Sequence, residues 1–293
     1  MTTRQGATPF EFPTGTAILL EALPYVHRFA NKVLVIKYGG NVLAGVTDDD
    51  AVAQFAHDIA LVHQAGLRPV VVHGGGPQIS KMMDRLGKEP EFRQGLRVTD
   101  AETVDIVRSV LVDQINPQLV AAINVHGPIA VGVSGETSGL IRASARNPEL
   151  GFVGDVAGVE PSILNELLGK GMIPVVAPIG ADEDGQAYNI NADTAAGAIA
   201  EALRAEKLMY LTDIDGLRRI VTDPASLIRQ TTVDELDAMI ADGSIADGMI
   251  PKAQSCAKAL RGGVHRAHIL DGRIAHVLLL ELFTDEGVGT MVQ

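Results

Sequence analysis

The chain has 293 residues, 46% hydrophobic and only 4% aromatic with no Trp, enough for one large aliphatic core or two smaller ones. A formal net charge of −12 and the absence of any Lys/Arg run exclude a broad basic face for nucleic acid. The single cysteine excludes an internal disulfide and fits a reducing, cytoplasmic setting.

Residues 1–13 read as a tail without the apolar centre of a signal peptide. Residues 16–30 read as a helix with two apolar seams: Ile18, Ala22, Tyr25 and Phe29, and Leu19, Leu23, Val26 and Ala30. Pro24 should kink it. Two apolar faces admit packing on the same domain or, as an arm, on a second copy. Residues 33–37 (VLVIK) read as a buried strand, and 48–65 as a helix with Val52, Phe55, Ala56, Ile59 and Val62 at helical spacing. Residues 69–73 read as a strand running into Gly74-Gly75-Gly76-Pro77, where Pro77 suits the first turn of a helix.

Thr99 and Glu102 read as a capping box for a helix from near Asp100. Strands follow at 129–134 and 172–177, with a helix over 162–171 between them. In the second half, YNINAD leads into an alanine-rich helix over 194–205, then a strand over 207–213. Thr232 and Glu235 form another capping box; a helix over 253–262 and a strand over 266–270 come after it. Cys256 lies in that helix and reads as a packed thiol. Strands alternating with helices predict an α/β architecture with a mainly parallel sheet. No internal repeat is found, and no apolar run approaches the roughly 20 residues of a membrane span.

Five clusters carry chemistry. Lys37 precedes Gly39 and Gly40 at a strand's carboxyl end, where α/β sheets bind ligands; the alternative is a solvated lysine in a turn. Gly74, Gly75 and Gly76 stand between a strand and a helix start, which exposes N–H groups to an anion. His73, beside them, reads as structural. Arg97 lies just before a helix and can grip a carboxylate with two donors or serve only as a surface charge. Asn189, Asn191 and Asp193 alternate, which places them on one side of an extended segment. Lys252 enters the first turn of a helix, where the dipole disfavours a cation unless an anion lies close by. No G-x-x-x-x-G-K-[ST], protein-kinase motif set, G-x-S-x-G or zinc spacing is present.

The ordered set KYGGN, VVHGGGPQI, GLRVTD, YNINAD, LTDIDGL and DGMIPK resembles the amino acid kinase family from about Lys32 to the C-terminus. The resemblance implies a three-layer αβα sandwich with two lobes, 32–178 for an acyl amino acid and 179–293 for the nucleotide, preceded by a tail and arm helix over 1–31. It implies ATP with Mg²⁺ as phosphoryl donor and the side-chain carboxylate of N-acetyl-L-glutamate as acceptor. By it, Lys37 and Lys252 flank the phosphoryl group and Asp193 positions both. Gly75, Gly76, Arg97 and Asn189 hold the acyl amino acid, while Gly39, Gly40, Asp213, Asp215 and Gly216 meet the nucleotide. A carboxylate nucleophile with a pKa of ~4 is already ionised, so the chemistry needs no general base.

The chain further resembles arginine-inhibited members of that family. That implies a kinked N-terminal helix interlacing dimers into a hexamer, and an L-arginine site at His268, Glu281 and Gly287. Residues 217–228 match no pattern of the family. Glutamate, aspartate or carbamate as substrate, and a non-catalytic arginine or nucleotide sensor, are the competing readings. A sensor is disfavoured because Lys37, Asp193 and Lys252 are all present.

Overall fold

The computed structural model describes residues 14–44, 49–93, 95–220, 222–245, 249–284 and 287–293. The expected tail over 1–13 lies outside them, as do Asp247 and Gly248 of the DGMIPK segment. An eight-stranded sheet runs through the molecule in the order Gln230–Thr231, Thr290–Val292, Arg266–Asp271, Lys207–Thr212, Val33–Tyr38, Arg68–His73, Ile173–Ala177, Ala130–Ser134. Thr290–Val292 runs antiparallel to Arg266–Asp271; the other neighbours in the sheet are parallel. The α/β expectation holds.

Side-chain alternation along these strands feeds two cores. Leu34, Ile36, Val71, Val175, Met209 and Leu270 enter the one covered by helices Asp49–Gln64, Gly76–Arg85 and Val277–Phe283. Val35, Val70, Val72, Val176, Leu208, Tyr210 and Ile269 enter the other, under helices Ser162–Gly169, Ala192–Ala202, Val233–Ala241 and Met249–Arg261. Both faces being covered explains why the strands read as continuous apolar runs. The sheet crosses between the halves without a break. Val33–Tyr38 pairs directly with Lys207–Thr212, and Lys37 lies in register with Tyr210.

The N-terminal helix spans Thr14–Phe29 with Pro24 inside it. Phe29 is buried in the core, while Leu20 and Leu23 are 52% and 49% exposed. No helix among the described residues is long and apolar enough to cross a membrane.

Three local readings are corrected. Thr99 and Glu102 do not form a capping box. The Ala101–Arg108 helix is capped by Asp100, whose carboxylate accepts from Thr103 N–H, because the Thr99 hydroxyl donates instead to the Arg97 carbonyl at 2.8 Å. The Thr232–Glu235 box does form. Asp193 is not in an extended segment with Asn189. Asn191 caps the Ala192–Ala202 helix, accepting from Asp193 and Thr194 N–H, so Asp193 lies in its first turn. The helix bearing Lys252 starts at Met249, ahead of the expected 253.

Two features had no sequence signal. Four short strands, Ile141–Ala145, Val153–Val159, Ile179–Ala181 and Ala187–Ile190, close on themselves beside the main sheet. Residues Ser109–Ile115 form a widened π-helical stretch between Ala101–Arg108 and Asn116–Asn124.

Candidate active site

A cleft of about 940 Å³ opens at the carboxyl edge of the sheet. Lys37, Gly39, Gly40, Gly75, Gly76, Arg97, Asn189, Asp193, Asp213, Asp215, Gly216 and Lys252 all line it. At its centre Lys37 Nζ lies 2.9 Å from Asp193 Oδ1, and Lys252 Nζ lies 2.7 Å from Asp193 Oδ2. The three side chains are 6–12% exposed. Burial alone would raise the Asp193 carboxyl, but the two ammonium groups outweigh it and hold it well below the usual range. Two cations against one anion leave a positive excess in a largely dry place, which favours a bound anion.

The glycine loops frame this centre by touching. A Cβ on Gly40 would stand 2.9 Å from Gly75 N and 3.0 Å from Gly76 N. On Gly75 it would meet Leu111 and Ile115 of the π-helical stretch at 2.6 Å. On Gly76 it would meet nothing within 4 Å, so that glycine faces open space.

A buried chain of hydrogen bonds fixes the triglycine loop from below. Asn116 Nδ2 donates to Val175 O at 2.8 Å and lies 3.2 Å from His73 Nε2; His73 Nδ1 lies 3.1 Å from Gly74 O. Only the Nδ1-protonated tautomer satisfies both ends.

Arg97 is buried rather than a surface charge. Nη2 donates to Gly76 O at 2.9 Å and Ser80 Oγ at 2.8 Å, and the guanidinium stacks 4.7 Å from the Phe92 ring centre. Thr99 links it to Asn189, whose Nδ2 donates to Thr99 Oγ1 at 3.3 Å. This explains why the Thr99 hydroxyl is unavailable as a cap.

On the other side of the cleft three carboxylates are each held by a partner. Asn41 Nδ2 donates to Asp213 at 3.0 Å, Arg218 grips Asp215 at 2.8–3.1 Å, and Arg273 grips Asp271 at 2.8 Å. Among the described residues no group of three or more His, Cys, Asp or Glu is placed to hold a metal ion. Asn41, Arg218, Asp271 and Arg273 escaped the sequence reading, since isolated polar residues at the ends of elements and in the turns beside them carry no pattern. Residues 217–228, unmatched in sequence, bring Arg218 to the cleft and pin Leu217 N–H on Thr290 Oγ1 at 2.8 Å.

His268, Glu281 and Gly287 do not line this cleft but do cluster elsewhere. His268 Nδ1 lies 2.8 Å from Glu281 Oε1, and Val288 N–H donates to Glu281 Oε2 at 3.2 Å. A Cβ on Gly287 would lie 3.8 Å from Glu281 Oε2. Lys207 packs 5.0 Å over the Phe29 ring, and burial pushes its ammonium down to about 8.

A mainly parallel α/β sheet with this cleft at its carboxyl edge is what the chain's motifs lead one to expect, and the amino acid kinase family model matches residues 32–271. The chain belongs to the amino acid kinase family. It is 52% identical over 285 residues to an acetylglutamate kinase of Symbiobacterium thermophilum, covering 94% of this chain and 96% of that one. With an acetylglutamate kinase of Saccharopolyspora erythraea it shares 51% over 283 residues, 94% of this chain and 92% of that protein. In fold it is similar to N-acetylglutamate synthase of Neisseria gonorrhoeae in complex with coenzyme A and N-acetyl-glutamate. There the TM-score is 0.83 at 27% identity, over 96% of this chain and 63% of that longer one. Carbamate kinase of Giardia lamblia, at 18% identity, shares the fold with a TM-score of 0.66, over 90% of this chain and 98% of that one.

Burial drives the His73 imidazole down to about 4 from 6.5. A folded value below the unfolded one means stability is complete above pH 6.5 and lost as pH falls toward 4. The loss attributable to His73 should be on the order of 3 kcal/mol. Urea unfolding across that window should show a flatter slope for His73→Gln than for wild type; equal slopes would contradict the assignment.

Proposed function

We propose that the chain transfers the γ-phosphoryl group of ATP to the side-chain carboxylate of N-acetyl-L-glutamate. The product is N-acetyl-L-glutamyl 5-phosphate, an intermediate of arginine biosynthesis. The observation that carries this reading is the Asp193 carboxylate shared between Lys37 and Lys252 at 2.9 and 2.7 Å.

The acceptor carboxylate, with a pKa of ~4, arrives ionised, and no proton has to be removed from it. The barrier is then the repulsion between two anions and the charge that spreads over the transferring oxygens. Lys37 and Lys252 oppose both from fixed positions in a site where water screens them weakly. Asp193 is not free to act as a base; its two oxygens are occupied by the lysines, and it holds both in place.

Residues 32–178, joined by Asn189 from the other half, supply the acyl-amino-acid side: Arg97 for the α-carboxylate, Asn189 completing that site, and Gly75 and Gly76 holding the acyl amino acid through backbone N–H groups. Residues 179–293, with Gly39 and Gly40, supply the nucleotide side, where Asp213, Asp215 and Gly216 lie. Mg²⁺ would enter with the ATP phosphates, since the carboxylates there are already paired and Mg²⁺ keeps much of its water.

We further propose L-arginine as a feedback inhibitor at His268, Glu281 and Gly287, with the Glu281 carboxylate meeting the guanidinium. The exposed Leu20 and Leu23 support an arm helix that docks on a second copy within a hexamer. A single buried thiol fits a cytoplasmic enzyme.

Trapping acyl phosphate with hydroxylamine in ATP and Mg²⁺ tests the reading. N-acetyl-L-glutamate should give far more product than glutamate, aspartate or carbamate, and millimolar L-arginine should slow it. No product from N-acetyl-L-glutamate would reject the substrate; an unchanged rate with L-arginine would reject the inhibitor.

The pH profile tests the lysines. Burial lowers the Lys37 ammonium below 10.5, with Asp193 opposing and Lys252 adding to the fall. Turnover should therefore decline along an alkaline limb that begins below pH 10.5. Lys37→Arg keeps its charge there, so it should be slower yet lack that limb. A wild-type rate flat up to pH 10.5 would contradict the role.

A further inference from the structure

The catalytic trio stands on a second, entirely buried polar layer. Lys37 and Tyr210 are register partners on adjacent strands, so both rise from the same face of the sheet. The Tyr210 hydroxyl lies 2.7 Å from Ser255 Oγ and 3.2 Å from the main-chain carbonyl of Asp193. Ser255 Oγ lies 2.8 Å from the same carbonyl. The three oxygens form a closed triangle.

Two hydroxyl protons serve it. In the shorter arrangement Tyr210 donates to Ser255, and Ser255 donates to Asp193 O. In the reverse arrangement the donors exchange, and a hydroxyl still holds the carbonyl. Burial drives the Tyr210 phenol well above its ordinary value, so the donor proton stays in place. The Tyr210 ring also carries Lys252 Nζ, 5.2 Å from its centre.

Helix packing makes the triangle possible. Asp193 lies in the first turn of Ala192–Ala202, and Ser255 lies one turn beyond Lys252 in Met249–Arg261. Ala195, Ala196 and Gly197 face Ala253, Cys256 and Ala257 in the same core. A Cβ on Gly197 would overlap Ser255 Oγ. Glycine there lets the serine reach across to the carbonyl of the neighbouring helix.

We propose that Tyr210 and Ser255 are positioning residues for the transfer, their hydroxyls clamping the Asp193 carbonyl so that its carboxylate stays seated between Lys37 and Lys252. The proposal rests on the reading that this cleft transfers a phosphoryl group. Neither residue touches substrate. Both act through Asp193, and Tyr210 acts on Lys252 as well. Their loss should therefore weaken transition-state stabilisation without weakening ground-state binding.

The test compares wild type with Tyr210→Phe, Ser255→Ala and the double variant. Rates are taken on whichever of N-acetylglutamate, glutamate, aspartate or carbamate the wild type phosphorylates, so a wrong substrate assignment leaves the comparison intact. Each single variant should lose about fivefold in kcat, with both KM values within about twofold. The double variant should lose less than the product of the two, because both hydroxyls act on one carbonyl. The ¹⁵N ammonium resonances of Lys37 and Lys252, which need no turnover, should move in Tyr210→Phe while those of exposed lysines stay. Wild-type kcat in both single variants overturns the proposal. So does a loss confined to KM or thermal stability with unmoved lysine resonances.

Discussion

The structure depends on one carboxylate that two lysines share. Asp193 is buried, and a buried charge survives only when partners compensate it. Lys37 and Lys252 do so from opposite oxygens, at 2.9 and 2.7 Å. The arrangement also keeps two like charges close together, which they would otherwise resist. What remains is one positive charge in excess, facing a cleft. On the proposed function, that excess is what binds the transferred anion there.

The topology exists to bring these three residues together. Lys37 lies one residue before the end of the Val33–Tyr38 strand, while Asp193 and Lys252 lie in the first turns of two helices far along the chain. Strand Lys207–Thr212 pairs beside Val33–Tyr38, and the two helices cover the face that both strands share. Each charged residue thus sits at the end of a rigid element. The glycine loops and the Arg97–Thr99–Asn189 links extend the same frame along the cleft.

Much of this was legible in sequence because it was written in local patterns. Aliphatic runs marked the strands, Gly39–Gly40 and Gly74–Gly76 marked loops that approach one another, and Thr232 with Glu235 marked a helix start. Lys37, Asp193 and Lys252 each had a bland local alternative, and only the ordered set of motifs singled them out. What escaped depends on partners distant in the chain. Thr99 looked like a cap, but its hydroxyl is spent on Arg97 O; Arg97 looked exposed until the Phe92 ring and Ser80 enclosed it. Tyr210 and Ser255 drew no reading at all, since nothing local reveals that both reach one carbonyl. The π-helical stretch and the four-stranded closed sheet are tertiary outcomes with no periodicity to announce them.

The most direct measurement is kcat for Asp193→Asn, with folding checked by circular dichroism and gel filtration. The isostere keeps the shape but removes the charge that pairs the lysines. The account predicts a folded protein slowed by at least about a hundredfold, since on it the preorganised lysine charges carry the transition-state stabilisation. A folded Asp193→Asn enzyme turning over within a few-fold of wild type would contradict it.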